Sequence, residues 1–216
     1  MARRPSSQVA ARPQHLWALV KGSLPPMHAA GRPFVAGALT FGLLGWRHGW
    51  SRNASLVAAG ALALFFREPR RVPPTLVGAL VAPVDGVVVD VHESVPPEEL
   101  GLGDAPLPRV SITASAFDPY VHRAPMAGRI AALAADCSAV TIEADDMAVG
   151  LVATPANLAG RITCDLAVGE ELELGQTYAL VRFGSRVDVY LPADAGVRTL
   201  VGQHTVGGET ILAVLG

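Results

Sequence analysis

The sequence predicts a mainly β protein: a compact β barrel or sandwich of the barrel-sandwich-hybrid kind, preceded by an N-terminal apolar helical hairpin. Residues 34–66 hold two apolar runs rich in Gly and Ala, whereas residues 78–216 break into short β-prone runs separated by Gly and Pro. Half of the 216 residues are hydrophobic and only 17% are charged, against about 25% in a typical soluble domain. We therefore expect part of the chain not to face water.

The N-terminal arm, residues 1–33, is basic and rich in Pro and Ser. Two apolar runs follow, 34–46 and 55–66, and each would measure roughly 20 Å as a helix, shorter than the ~30 Å hydrocarbon core of a bilayer. Basic residues flank the pair on both sides, which favours both ends being cytoplasmic. We expect residues 34–66 to associate with the cell membrane at its cytoplasmic face, as a hairpin in one leaflet or as two short spans. The alternative is a buried hairpin of a soluble core.

The next segment, residues 67–77, is interpreted as a linker because its prolines cannot continue a helix. In the β-rich domain, residues 78–216, strand candidates lie on both sides of Asp85-Gly86, a tight-turn dipeptide. Another run, "TYALVRFGSRVDVYLP" (177–192), reads as one strand interrupted by a Gly-Ser pair. The spacing suits a barrel or sandwich rather than alternating βαβ units, and no fixed-period repeat is visible.

Composition disfavours several classes of function. The formal charge of −2 gives no indication of a nucleic-acid partner. The single lysine, Lys21, lies before the apolar runs, so pyridoxal-phosphate enzymes and biotinyl or lipoyl carriers are improbable. Cys137 and Cys164 have no further Cys or His at metal-ligand spacing, so no metal is expected. The two thiols can pair, but a reduced intracellular state is the expectation.

The Gly-Ser pair is the main anomaly of the β-rich half. Gly184 weakens an otherwise good strand, because glycine loses more conformational freedom on folding and leaves nothing to pack. Ser185 follows it, and Arg182 and Arg186 flank the two. Ser185 has no G-x-S-x-G pattern around it, so a hydrolase nucleophile is not indicated.

The other polar residues, taken one at a time, can be explained without a functional role. Asp85 is explained by the turn alone. His122 is by base rate a surface or satisfied core histidine, and Arg182 and Arg186 by themselves are solvated charges. Their combination with the Gly-Ser pair changes the interpretation.

Four stretches together resemble the short bacterial, actinobacterial-like phosphatidylserine decarboxylases. They are "RFGSRVDVYLP" (182–192), "VAPVDGVV" (81–88), "FDPYVHRAPMAG" (117–128) and "VGQHTVGGETILAVL" (201–215). The resemblance implies an inactive proenzyme that cuts itself between Gly184 and Ser185 into a β chain and an α chain. It implies that Ser185 becomes a pyruvoyl group that forms a Schiff base with the amine of a phospholipid substrate in the membrane. Neither a metal nor pyridoxal phosphate would then be needed.

The resemblance also implies roles for individual residues. Ser185, Asp85 and His122 would be catalytic, with His122 as the general base of self-cleavage and Asp85 orienting or charging it. Arg123, Arg182, Arg186 and Tyr120 would bind substrate.

The chain departs from the family pattern in two places. Tyr120 stands where the family has a histidine; His122, two residues on, would share a strand face with that position. The region 137–165 is shortened and lacks the family's Asn-Glu-Arg and Ala-Arg-Arg patterns.

Two alternatives stay open. One is a non-enzymatic or degenerate barrel-sandwich module that acts as a membrane adaptor. The other is a pyruvoyl enzyme for a soluble amino acid, which the apolar hairpin disfavours. A homo-oligomer is compatible with the sequence, which does not give the oligomeric state.

Overall fold

The computed structural model describes residues 32–45, 49–65, 71–115, 118–119, 121–155, 162–181 and 185–215. The chain divides into two compact units, Met1–Pro69 and Arg70–Gly216.

The first unit contains two helices, α1 (Arg32–Leu44) and α2 (Gly49–Phe65). Small residues bring them together: a Cβ atom on Gly42 would lie 2.8 Å from Cβ of Ser55, and the Ser51 hydroxyl donates a hydrogen bond to the Gly45 carbonyl at 2.7 Å. The predicted helical hairpin is confirmed. Neither helix, over its described residues, has the length and apolar character needed to cross a bilayer.

Many large apolar side chains are exposed on these helices. The large side chains left exposed are Phe34, Leu39, Phe41, Leu43, Leu44, Trp50, Leu56 and Val57. A patch of this kind is typical of a surface that contacts a membrane or another protein.

The regular secondary structure described in the second unit consists almost entirely of strands, as its short runs of β-branched residues predict. Besides a 3₁₀ turn at Glu98–Leu100, the described residues form β1 (Ala79–Val81), β2 (Gly86–Ser94), β3 (Leu107–Ala114), β4 (Val121–Arg123), β5 (Gly128–Leu133), β6 (Ala139–Ala144), β7 (Met147–Pro155), β8 (Ile162–Cys164), β9 (Glu171–Leu172), β10 (Thr177–Val181), β11 (Ser185–Tyr190), β12 (Gly196–Val197), β13 (His204–Thr205) and β14 (Ile211–Val214). The mainly β prediction is confirmed.

The strands form antiparallel sheets that stay open instead of closing into a barrel. One has eight strands in the order β13-β2-β3-β11-β7-β6-β5-β9, and two have three strands, β1-β14-β12 and β4-β10-β8. Aliphatic side chains from the large sheet and from β14 fill the core, among them Ile112, Ile142, Leu151, Val187 and Leu212. Strand β11 lies inside the large sheet, paired on one side with β3 and on the other with β7.

The structure divides the run 177–192, which we interpreted as one interrupted strand. Thr177–Val181 belongs to the sheet β4-β10-β8, whereas Ser185–Tyr190 belongs to the eight-stranded sheet. The chain therefore leaves one sheet after Val181 and enters another at Ser185.

Two segments of this unit share the same local structure although no fixed-period repeat was visible. The sequences are APVDG (82–86) and APMAG (124–128). In each, the glycine packs on the neighbouring strand so closely that a Cβ atom on Gly86 or Gly128 would lie 2.4 Å from a main-chain carbonyl oxygen.

Main-chain hydrogen bonds repeat with the same pattern. The N–H of Val81 donates to Pro125, and the N–H of Arg123 donates to Pro83. Likewise the amide of Gly208 donates to Ala82 and that of Gly175 to Ala124, at 2.8 and 2.9 Å. The two segments are thus related by an approximate twofold arrangement, in which each is hydrogen-bonded to the other. Such a pair does not produce a repeat of constant length along the sequence.

The expectation of reduced thiols is not met. Cys137 and Cys164 form a disulfide with Cα atoms 6.2 Å apart, within the usual range for this bond. It joins the turn between β5 and β6 to strand β8. Spacing along the sequence does not reveal such a contact, because tertiary structure creates it.

Candidate active site

Ser185 is the first residue of β11, and its backbone is held from both sides. It is opposite Ala114 on β3 and Pro155 on β7. Its side chain is only 2% exposed. The backbone that carries the Ser185 hydroxyl is therefore fixed by pairing with two neighbouring strands.

His122 lies in the middle of β4, where it is also buried. Its Nε2 atom is 3.4 Å from Oγ of Ser185. This separation is longer than an ordinary hydrogen bond, as is common in catalytic pairs before the reaction begins. The structure therefore brings together two of the predicted site residues that lie 63 positions apart.

The surroundings of His122 favour its neutral form. Burial lowers its pKa from 6.5 to about 4, since an imidazolium ion loses its hydration in this environment. The ring of Tyr178 meets it edge-on, with centroids 6.2 Å apart. A neutral imidazole can accept a proton from a hydroxyl, which an imidazolium cannot do.

A small cavity adjoins this pair. Its walls come from the turn before β2, the end of β3, the segment before β4 and the end of β10, and the lining residues are Val84, Ala114, Ser115, Pro119, His122, Val181 and Ser185. Most of this lining is apolar. An apolar lining strengthens electrostatic interactions within the site because it excludes water.

Asp85 immediately follows Val84, one of the cavity residues. Its Oδ2 atom accepts a hydrogen bond from Nη2 of Arg71 at 2.5 Å, and its Oδ1 atom accepts one from the Gly207 amide at 2.6 Å. The predicted contact with His122 is not among the hydrogen bonds of the described residues, in which the two carboxylate oxygens accept from Arg71 and Gly207.

The turn that carries Asp85 is fixed by further contacts. The Thr205 hydroxyl donates to the Val84 carbonyl at 3.1 Å. Gly86 touches β3 so closely that a side chain would collide with the Thr113 carbonyl oxygen. The sequence alone explained this Asp-Gly dipeptide as a tight turn. In the structure it also anchors the turn to neighbouring segments.

The structure does not bring Arg123 or Arg186 to the Ser185–His122 pair. Arg123 follows His122 in the same strand, so its side chain points to the opposite face of the strand. Its Nη1 atom donates a hydrogen bond to the Gly175 carbonyl at 3.0 Å. Arg186 follows Ser185 in the same way. Its Nε atom donates to Asp188 at 2.9 Å.

Three predicted site residues, Tyr120, Arg182 and Gly184, lie outside the described residues. Within the described part of the chain, no group of three or more His, Cys, Asp or Glu side chains is arranged to hold a metal ion.

Sequence reasoning missed Arg71 and Gly207, the two partners of Asp85. Arg71 was included in a linker, and Gly207 was noted as part of the stretch 201–215, with no role of its own. The recurrence of APVDG and APMAG was an available signal, since it shows that the Asp85 turn has a counterpart within the same domain.

Comparison with known proteins identifies the family. The phosphatidylserine decarboxylase family profile matches residues 137–213. The phosphatidylserine decarboxylase proenzyme of Mycobacterium ulcerans (strain Agy99) is 46% identical over 239 aligned positions that cover the whole of both chains. The chain belongs to the phosphatidylserine decarboxylase family.

Other family members are equally similar. The proenzyme of Mycolicibacterium smegmatis is 46% identical with full coverage of both chains. That of Mycobacterium tuberculosis (strain ATCC 25177 / H37Ra) is 46% identical over 99% of each. The similarity thus extends over the helical hairpin as well as the β domain.

Proposed function

We propose that the chain is the precursor of a pyruvoyl-dependent phosphatidylserine decarboxylase, which converts phosphatidylserine to phosphatidylethanolamine and CO2. Self-cleavage between Gly184 and Ser185 would produce a β chain of residues 1–184 and an α chain of residues 185–216. The observation that carries the proposal is the buried Ser185 hydroxyl beside His122, at the point where the chain changes sheets. Family membership supplies the reaction and the substrate.

Cleavage begins at the main chain. Oγ of Ser185 attacks the carbonyl carbon of Gly184, which carries no side chain to obstruct it, and the peptide bond becomes an ester. Loss of the Cα proton of residue 185 then expels the Gly184 carboxylate and leaves dehydroalanine. This residue tautomerises to an imine, and water replaces the nitrogen, which leaves as ammonia.

His122 fits the first proton transfer. Its neutral Nε2 atom faces Oγ of Ser185 and accepts the hydroxyl proton as the oxygen attacks. The apolar cavity beside the pair limits competition from water. We assign His122 this role although the family has its histidine at the position of Tyr120.

Residue 185 is suited to carry the prosthetic group. It begins a strand that is paired on both sides, so the new N-terminus stays fixed after the chain is cut. The pyruvoyl group supplies an electron sink that accepts the electron pair left by departing CO2. Binding of the substrate's anionic groups by Arg123, Arg182, Arg186 or Tyr120 stays a prediction.

We propose that the helical hairpin holds the enzyme at the cytoplasmic face of the cell membrane, where a phospholipid substrate is available. The apolar side chains on the outer surfaces of α1 and α2 support this, since Phe41, Leu43 and Trp50 are each at least 66% exposed. Burying such groups in a bilayer is favourable by about 25 cal/mol per Å².

The proposal is tested with vesicles that contain phosphatidylserine. The purified protein should consist of two chains, release CO2 from these vesicles and float with them on a density gradient. Ser185→Ala should stay a single chain and release none, yet it should still float. Cleavage of the Ser185→Ala variant, or activity on free serine alone, would contradict the proposal.

A further inference from the structure

Arg71 forms a largely buried ion pair with Asp85, one of the predicted catalytic residues. Its Nη2 atom lies 2.5 Å from Oδ2 of Asp85, and the two side chains are only 19% and 16% exposed. The Gly207 amide binds the other carboxylate oxygen at 2.6 Å. The carboxylate is therefore fixed from two sides, by one charged donor and one main-chain donor.

The segment that carries Arg71 is docked on the β domain. The Val72 amide donates to Oε1 of Glu209 at 3.1 Å. The Pro73 ring lies against Gly175, where a Cβ atom would come within 2.9 Å of it. Gly175 and Gly208 are the two glycines whose amides donate to Ala124 and Ala82. Residues 71–73 lie against both of them, so this part of the predicted linker belongs to the catalytic unit.

The approximate twofold arrangement gives an internal comparison. The two related turns differ at their third residue, Val84 or Met126, and at their fourth, which is Asp85 in APVDG and Ala127 in APMAG. Arg71 pairs with the turn that has the carboxylate, and Val84 of this turn lines the cavity beside Ser185. The added segment thus distinguishes two otherwise similar halves of the domain.

We propose that Arg71 is a positioning residue for self-cleavage, which holds Asp85 and its turn in the arrangement that the Ser185–His122 pair requires. The inference rests on the proposed function, because it concerns the maturation of the same site. Among the hydrogen bonds and ion pairs of the described residues, the Arg71 side chain binds Asp85 and not Ser185 or His122. It acts through Asp85, whose carboxylate would otherwise lose its charged partner while remaining largely shielded from water.

The test measures the rate at which freshly synthesised full-length precursor becomes two chains. Arg71→Ala should slow this rate roughly tenfold or more, since small misplacements in a catalytic site are costly. Arg71→Lys, which keeps the charge, should recover a large part of the loss. Millimolar guanidinium ion should accelerate Arg71→Ala by occupying the vacated place and should leave the wild type unchanged.

A matched control is the ion pair between Arg129 and Glu143 on β5 and β6. Its atoms are 2.6 Å apart, but the side chains are 60% and 40% exposed. Arg129→Ala should mature within about twofold of the wild-type rate, because exposed pairs contribute little.

The outcomes separate this inference from the proposed function. Normal maturation of Arg71→Ala, with Ser185→Ala still uncut, would overturn the role of Arg71 alone. A slow Arg71→Ala that neither lysine nor guanidinium rescues would show a merely structural role and would also overturn it. Cleavage of Ser185→Ala would instead reject the proposed function.

Discussion

Self-cleavage should be almost independent of pH between pH 5.5 and 7.5, because buried His122 stays neutral throughout this range. The perturbation is a shift of pH applied to the uncut precursor. Burial lowers the pKa of His122 from 6.5 to about 4, and the base that accepts the Ser185 proton must be neutral.

The expected change in the rate of self-cleavage follows from these two values of the His122 pKa. With a pKa of about 4, about 97% of His122 is neutral at pH 5.5, and nearly all is neutral at pH 7.5. With an ordinary pKa of 6.5, only about 9% would be neutral at pH 5.5. The rate should therefore change by a few per cent between the two pH values, against roughly tenfold for a solvated histidine.

The assay uses cell-free synthesis of the precursor at pH 7.5, followed by rapid dilution into buffers from pH 4 to 8. Conversion to two chains is then followed on gels. His122→Asn is the control and should be slow at every pH. A tenfold fall in rate with a midpoint near pH 6.5 would refute the reasoning, because it would mean that the base is solvated.

Three further predictions concern stability and chain connectivity. In the uncleavable Ser185→Ala precursor, Gly86→Ala should lower the free energy of unfolding by about 2 kcal/mol or more, because the new methyl group would overlap a main-chain carbonyl. Gly196→Ala, whose nearest neighbour would be 3.5 Å away, should change it by less than about 0.5 kcal/mol in denaturant titrations; equal effects would contradict the packing argument. Replacing Cys164 with Ser should cost about 3–4 kcal/mol of stability, since the disulfide to Cys137 closes a 27-residue separation. Both cysteines belong to the β chain, so the mature chains should separate on a denaturing gel without reductant, and a covalent dimer of the two would contradict the pairing.

The sequence was sufficient for features that depend on local patterns. The strands around Ile112, Ile142 and Val187 are predictable because β-branched residues alternate there with polar ones. The hairpin is predictable because small and apolar residues fill both helices. Ser185 was found because a glycine and a serine are unusual in the middle of a β-prone run.

The remaining features depend on contacts between distant parts of the chain. The division of 177–192 between two sheets is set by strand partners, which periodicity does not specify. Arg71 was interpreted as part of a linker because its contacts are with residues remote in the sequence. Its partner Asp85 is 14 positions away, and Glu209, which binds the neighbouring Val72, is 137 positions from it. The predicted Asp85–His122 contact followed from the roles implied by the family, and the two donors to the Asp85 carboxylate were not recognisable before folding.

The central claim is that the chain cuts itself at the serine where it changes sheets. Intact-mass measurement of the purified protein tests it most directly. The account predicts a β chain ending at Gly184 and an α chain of residues 185–216 that is lighter by one ammonia than the serine-terminated peptide and is blocked to N-terminal sequencing. A single species of 22.4 kDa, or an α chain that begins with an unmodified serine, would contradict it.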